Sequence, residues 1–225
     1  MDKPFLVPIE SSQELPEALV LIRGYISENS FNTDIEEKWR TAVRQSGWKG
    51  SIYHLWWESS SNSLWNIGRL HLRWEQVKSR AKQVGRAHLA KLVSNIPEKS
   101  VSLIGYSLGV RIIYHGIESW SESKKILNNA ILLGGAVRRN KEWGVKASRL
   151  TGQIVNFYNS DDQVLLYLFK IGELYLKSPC GLKPIKDYHP KIINVDATAL
   201  IGTSDHSELH YLRVLRDTVG RRLWL

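Results

Sequence analysis

Six short apolar runs, each followed by a segment of helical pattern, recur along this chain. They are Ala18–Ile22, Ser51–Trp57, Val101–Ile104, Ala130–Leu133, Gln153–Tyr158 and Lys191–Asp196. Such alternation predicts parallel strands joined by right-handed helical crossovers, with helices on both faces of one sheet. The runs are apolar almost throughout, as expected of central strands buried on both sides. The 225 residues are enough for one sizeable core and predict a single domain. The fold expected is a three-layer α/β sandwich with about six strands, mostly parallel, and little or no cap.

Helical patterns fill the gaps. Thr33 and Glu36 have the spacing of a capping box, Ile35, Trp39, Ala42 and Val43 share a face, and Gly47 is a stop. A long helix is predicted from about Trp65 to Val93, another from Leu108 to about Trp120. A short basic helix or loop covers about 140–150. An apolar helix spans Val164 to Leu176, and a last helix starts near His206 with Leu209, Leu212 and Leu215 on one side.

In a parallel sheet ligands collect at the carboxyl ends of the strands, so the residues just after each run carry the interest. The third run leads directly into Gly105-Tyr106-Ser107-Leu108-Gly109. This is G-x-S-x-G between a strand and a helix, the context the motif requires. The flanking glycines let strand and helix approach closely, and the hydroxyl stands above the sheet at a helix N-terminus.

A serine hydroxyl needs a base to be a nucleophile. The order expected is serine, acid, histidine, each after a strand. Asp161 and Asp162 follow the fifth run, with Asp162 the leading acid and the other a helix cap; Asp196 is a weaker rival. His206 follows the last run and leads as the base, with His210 one turn later as its rival. His54, His71, His88 and His115 fall within strands or helices and read as structural, and His189 as a loop residue. An oxyanion hole needs two backbone donors. The Leu108 N–H is one, and the Tyr25 N–H, in the loop opened by Gly24, is the other. Gly24, Tyr106, Leu165 and Phe169 are expected to touch substrate. The apolar segment from Val164 onward would wall an acyl pocket or act as a lid; equally it reads as an ordinary buried helix.

The formal charge of +9 and nine tryptophans, six of them between Trp39 and Trp74, favour anionic partners. The dense basic run Arg69–Lys91 reads first as a solvated helix face. Peripheral contact with anionic lipid comes second, and nucleic acid is disfavoured. Cys180 is the single cysteine, so no intrachain disulfide can form, which fits a reducing compartment. No signal-peptide pattern or membrane span is read, so the location expected is cytoplasmic or peripheral to a membrane. No HExxH, paired CxxC, EF-hand, Walker or strand-linked GxGxxG pattern occurs, so neither metal nor nucleotide cofactor is expected.

From about Leu19 to Tyr211 the chain resembles the α/β-hydrolase-like family known as domain of unknown function 726, which includes relatives of transmembrane and coiled-coil domain protein four. The likeness rests on the glycine loop followed by the helix with Trp39, the strand end Leu55-Trp56-Trp57-Glu58-Ser59, and Leu103 through Arg111. It continues in Leu132-Leu133-Gly134-Gly135-Ala136, Tyr158 through Leu165, and Asn194-Val195-Asp196. The resemblance implies a hydrolase-like fold with esterase or lipase activity, and it points to Asp162 as the acid. Relatives carry a Gly-His pair after the last strand, where this chain has Asp205-His206. The larger relatives also carry a long membrane-embedded N-terminal region, which these 225 residues do not include. The function expected is cleavage of carboxylic esters, of small molecules or lipids. The alternative is a catalytically silent hydrolase-fold module that binds a membrane surface or a protein.

Overall fold

A computed structural model describes residues 3–24, 33–58, 70–172 and 178–219. The first strand, β1 (Phe5–Glu10), was not read from the sequence. It carries Pro8, and its pairing with β3 shifts register between Pro8 and Glu10, which suits only a sheet edge. The six expected strands follow as β2 (Glu17–Ile22), β3 (Ser51–Trp56), β4 (Ser100–Tyr106), β5 (Ile126–Leu133), β6 (Ile154–Tyr158) and β7 (Ile192–Asp196). The sheet order is β1-β3-β2-β4-β5-β6-β7, and every pair except β1–β3 is parallel.

Between β2 and β3 runs α1 (Thr33–Gln45), closed by Gly47 at φ 92°. The Glu36 carboxylate accepts a 2.8 Å bond from His54 Nδ1 on β3, so the residue ties helix to sheet. The long helix expected after β3 is α2 (Leu70–Val84), a π-turn (Gly85–Leu89) and α3 (Ala90–Ser94). After β4 come α4 (Gly109–Gly116) and a 3-10 turn (Ile117–Ser123). The remaining helices are α5 (Trp143–Ala147), α6 (Gln163–Gly172), α7 (Thr198–Ile201) and α8 (Glu208–Val214).

Alternate residues of each strand serve opposite faces. On one face Leu19, Leu21, Ile104, Ile131 and Phe157 pack with Trp39 of α1 and Tyr211 and Leu212 of α8. On the other, Val20, Ile22, Leu103, Leu132 and Ile154 pack with residues of α2, α4 and α6. The result is the three-layer sandwich of an α/β-hydrolase-type fold. The chain leaves β2 toward β3 on one side and returns to β4 on the other. This reversal is a topological switch point at the carboxyl ends of β2 and β4, where Gly24 and Ser107 lie.

Candidate active site

Ser107 sits between β4 and α4 with φ 55°, a left-handed conformation that few residues other than glycine adopt. Its backbone is locked: its N–H donates to Leu133 O at 2.9 Å, and its carbonyl accepts from Ala136 at 3.0 Å and Val110 at 3.2 Å. The glycines around it are required by contact. A Cβ on Gly109 would lie 2.0 Å from Ile22 O, and one on Gly105 would lie 2.8 Å from Val110 N. Gly24, at the end of β2, packs on the serine itself: a Cβ there would be 2.7 Å from Ser107 Cβ and 3.3 Å from Oγ.

Asp162 follows β6 and is fully buried. One oxygen accepts the Leu165 N–H at 2.8 Å, capping α6; the other takes a 2.5 Å bond from His206 Nδ1. Asp161, beside it, is exposed and bonded to Ser160. Asp196 accepts the Thr198 N–H at 2.9 Å and so serves α7. His210 pairs with Asp205 at 3.0 Å on the surface. The structure thus brings His206 to Asp162 and leaves the three rivals elsewhere.

The imidazole is held from several sides. Tyr106 stacks on it at 5.0 Å between centroids, with 22° between planes, and donates its O–H to His206 O at 3.0 Å. Tyr211 meets it edge-on at 6.5 Å. Burial pushes both phenols well above their usual range, so both stay neutral and can act only as packing and hydrogen-bonding groups. Asn159 donates to Thr203 O at 3.0 Å, and Gln163 N–H donates to Ser204 O at 2.9 Å, joining the aspartate loop to the histidine loop. In the sequence Asn159 and Gln163 fall in the Tyr158–Leu165 segment that carries the family likeness, but their residue types alone point to no role.

Among the described residues neither Ser107 Oγ nor His206 Nε2 makes a hydrogen bond, and Nε2 is buried. The Leu108 N–H, at the opening of α4, also has no acceptor among the described residues. Tyr25, the other expected oxyanion donor, lies outside the described residues.

Of the expected substrate contacts, Gly24 lies against the serine. Tyr106 is engaged by His206 and packs with the α1–α8 side of the core. Leu165 and Phe169 are fully buried on the inner face of α6, Phe169 edge-on to Trp74 at 6.4 Å. The inner face of α6 is therefore an ordinary buried helix face, while Val164 and Tyr167 are exposed. Among the described residues no cluster of three His, Cys, Asp or Glu gathers as metal ligands, and no helix is long and apolar enough to cross a membrane.

Known proteins resemble parts of this chain. An uncharacterized membrane protein of Schizosaccharomyces pombe is 36% identical over 106 residues, 46% of this chain and 14% of its own length. A protein of Saccharomyces cerevisiae named as a probable lipase is 26% identical over 113 residues, 49% of this chain and 10% of its own. The chain thus spans less than a fifth of the length of these curated relatives. Among solved structures, a predicted CIB-like hydrolase from Thermoplasma acidophilum aligns with a TM-score of 0.47 at 14% identity, covering 97% of this chain and 92% of its own. A Pyrococcus furiosus esterase aligns at 0.47 and 11% identity, covering 97% and 91%. The family model described as protein of unknown function DUF726 matches residues 69–219, two thirds of the sequence, and the chain belongs to that family.

Proposed function

We propose that this protein is a serine hydrolase of carboxylic esters, with Ser107 as nucleophile, His206 as base and Asp162 as the acid that orients it. The observation that carries the reading is the buried Asp162–His206 bond of 2.5 Å at the same sheet edge as a serine in left-handed conformation. Asp162 fixes Nδ1 as the protonated nitrogen, which leaves Nε2 as the acceptor. Ser107 Oγ attacks the ester carbonyl as its proton passes to Nε2. The carbonyl oxygen becomes an oxyanion that takes hydrogen bonds from the Leu108 and Tyr25 N–H groups. As the intermediate collapses, the C–O bond to the alcohol breaks and Nε2–H returns the proton to the leaving oxygen. Water, deprotonated by His206, then attacks the acyl carbon; as that intermediate collapses the bond to Ser107 Oγ breaks, Nε2–H returns the proton to Oγ, and the acid is released.

Lipid esters are the favoured substrates. A relative named as a probable lipase supports this, as do Val164 and Tyr167, exposed on α6 directly after Asp162. Nitrophenyl esters of increasing acyl length test the reading. We expect turnover by the wild-type chain and a fall of about 10⁴-fold or more in Ser107→Ala. Equal turnover by both would refute it.

The same exposed residues, with Lys170 on their face and a net charge of +9, also favour a second reading, a catalytically silent module docked on anionic membrane. Binding of Ser107→Ala to phosphatidylserine vesicles, with no ester cleaved by the wild type, is its signature.

A further inference from the structure

One buried ion pair joins two loops that the candidate site needs at a fixed separation. Arg23 is the first residue after β2, and Glu208 opens α8; they lie 185 positions apart. Their side chains are 7% and 15% exposed. Arg23 Nη2 donates to Glu208 Oε1 at 2.7 Å, and Nε donates to Oε2 at 3.1 Å. A third bond reaches the same carboxylate from Trp39 Nε1, at 3.1 Å. The Arg23 carbonyl is held in turn by Trp57 Nε1 at 3.1 Å. Both indoles are 1% exposed.

What this network holds is specific. The residue after Arg23 is Gly24, on which a Cβ would lie 2.7 Å from Ser107 Cβ and 3.3 Å from its Oγ. Glu208 stands two residues beyond His206. We propose that Arg23 and Glu208 are a positioning pair, setting Gly24 against Ser107 and the His206 loop at the spacing that attack at Ser107 requires. This rests on the serine-hydrolase reading.

Stability alone is a poor explanation of such a pair. Two charges taken from water recover their desolvation cost only with good geometry, and an apolar pair of similar volume is often as stable. What a two-bond fork adds over an apolar contact is direction and distance. Neither residue reaches the serine oxygen through any hydrogen bond of its own, so each acts through the loop it holds.

The test uses the full 225-residue chain as wild type, Arg23→Lys, Glu208→Gln and the double variant. Lysine keeps the charge and loses the fork; glutamine keeps the shape and loses the charge. Two signals are read well below every melting temperature: the rate of Ser107 labelling by a fluorophosphonate, and the downfield NMR proton of His206 Nδ1–H in its bond to Asp162. A 1 Å misplacement can cost about 100-fold, so we expect each folded single variant to be labelled at least ~10-fold more slowly, with the His206 proton shifted or broadened. The double variant should be no slower than the slower single one, because the two changes break one interaction. A merely structural pair would lower the melting temperature and leave both signals unmoved. Either signal unmoved in a folded single variant overturns the proposal, and Arg23→Lys serves if Glu208→Gln does not fold. If the wild type is not labelled, the hydrolase reading fails separately; the His206 proton then decides, moved for the pair and unmoved against it.

Discussion

At Ser107 the backbone works against the side chain it carries. A left-handed φ of 55° costs a residue with a Cβ about 1 kcal/mol, and glycine is exempt. Ser107→Gly is therefore expected to be more stable than Ser107→Ala by about 1 kcal/mol in denaturant melts, while neither cleaves ester. Equal stability of the two would mean the turn is relaxed. The motif was legible from the sequence because its glycines answer to contacts that any such turn makes. Asp162 was the favoured acid, with Asp161 its rival, since both follow β6 in one polar turn. The choice depends on which carboxylate points inward, and Asp162 does so by capping α6 while meeting His206. Tyr106 was expected to touch substrate and instead backs the imidazole, because residue 106 alternates to the α1–α8 face.

At the level of elements, six strands were legible as apolar runs, and β1 was not. Phe5–Ile9 is apolar as well, but Pro8 interrupts the run and argues against a strand; the proline is tolerated because β1 lies at the sheet edge. The helix after β3 shows a second limit. Its pattern reads as continuous, yet the chain widens into a π-turn at Gly85–Leu89. Buried positions Gly85, Leu89 and Val93 keep a four-residue spacing through it, so periodicity does not reveal the extra residue. Gly85 is there because α4 crosses it closely: a Cβ would lie 2.5 Å from Ile112 O and 3.0 Å from Gly116 N. Backbone cannot yield as a side-chain tip does. Gly85→Ala is expected to destabilise by about 2–3 kcal/mol in urea melts despite its higher helix propensity. A neutral or stabilising effect would contradict the crossing. α4 is the helix that presents Ser107, so the crossing also braces the site from behind.

Over the whole molecule, charge that looked diffuse in the sequence is organised. Glu118 gathers Arg86 at 2.7 Å, Lys146 at 3.2 Å and His115 at 3.5 Å. Burial pushes the Glu118 carboxyl up, but the cations outweigh it and bring it down to about 2. Burial, aided by Arg111, lowers His115 from 6.5 to about 4. A buried imidazole held neutral binds its proton more readily when unfolded, so folded stability rises with pH across this window. The stability His115 contributes is complete above about 6.5 and is lost as pH falls toward about 4; that of Glu118 goes lower still. His88, lowered chiefly by burial, adds in the same sense. His115→Gln should therefore flatten the dependence of melting temperature on pH between 6.5 and 4, and an unchanged slope would contradict this. Asp162 and His206, 44 positions apart, were legible as partners because each directly follows a strand in the expected order; Arg23–Glu208 was not, because nothing local encodes which residues meet across 185 positions. The most direct test of the whole account is fluorophosphonate labelling of the folded chain, with the adduct located by mass spectrometry. One adduct per chain on Ser107, absent in Ser107→Ala and strongly slowed in His206→Ala, is the expected result; folded protein that takes no adduct at Ser107 would contradict it.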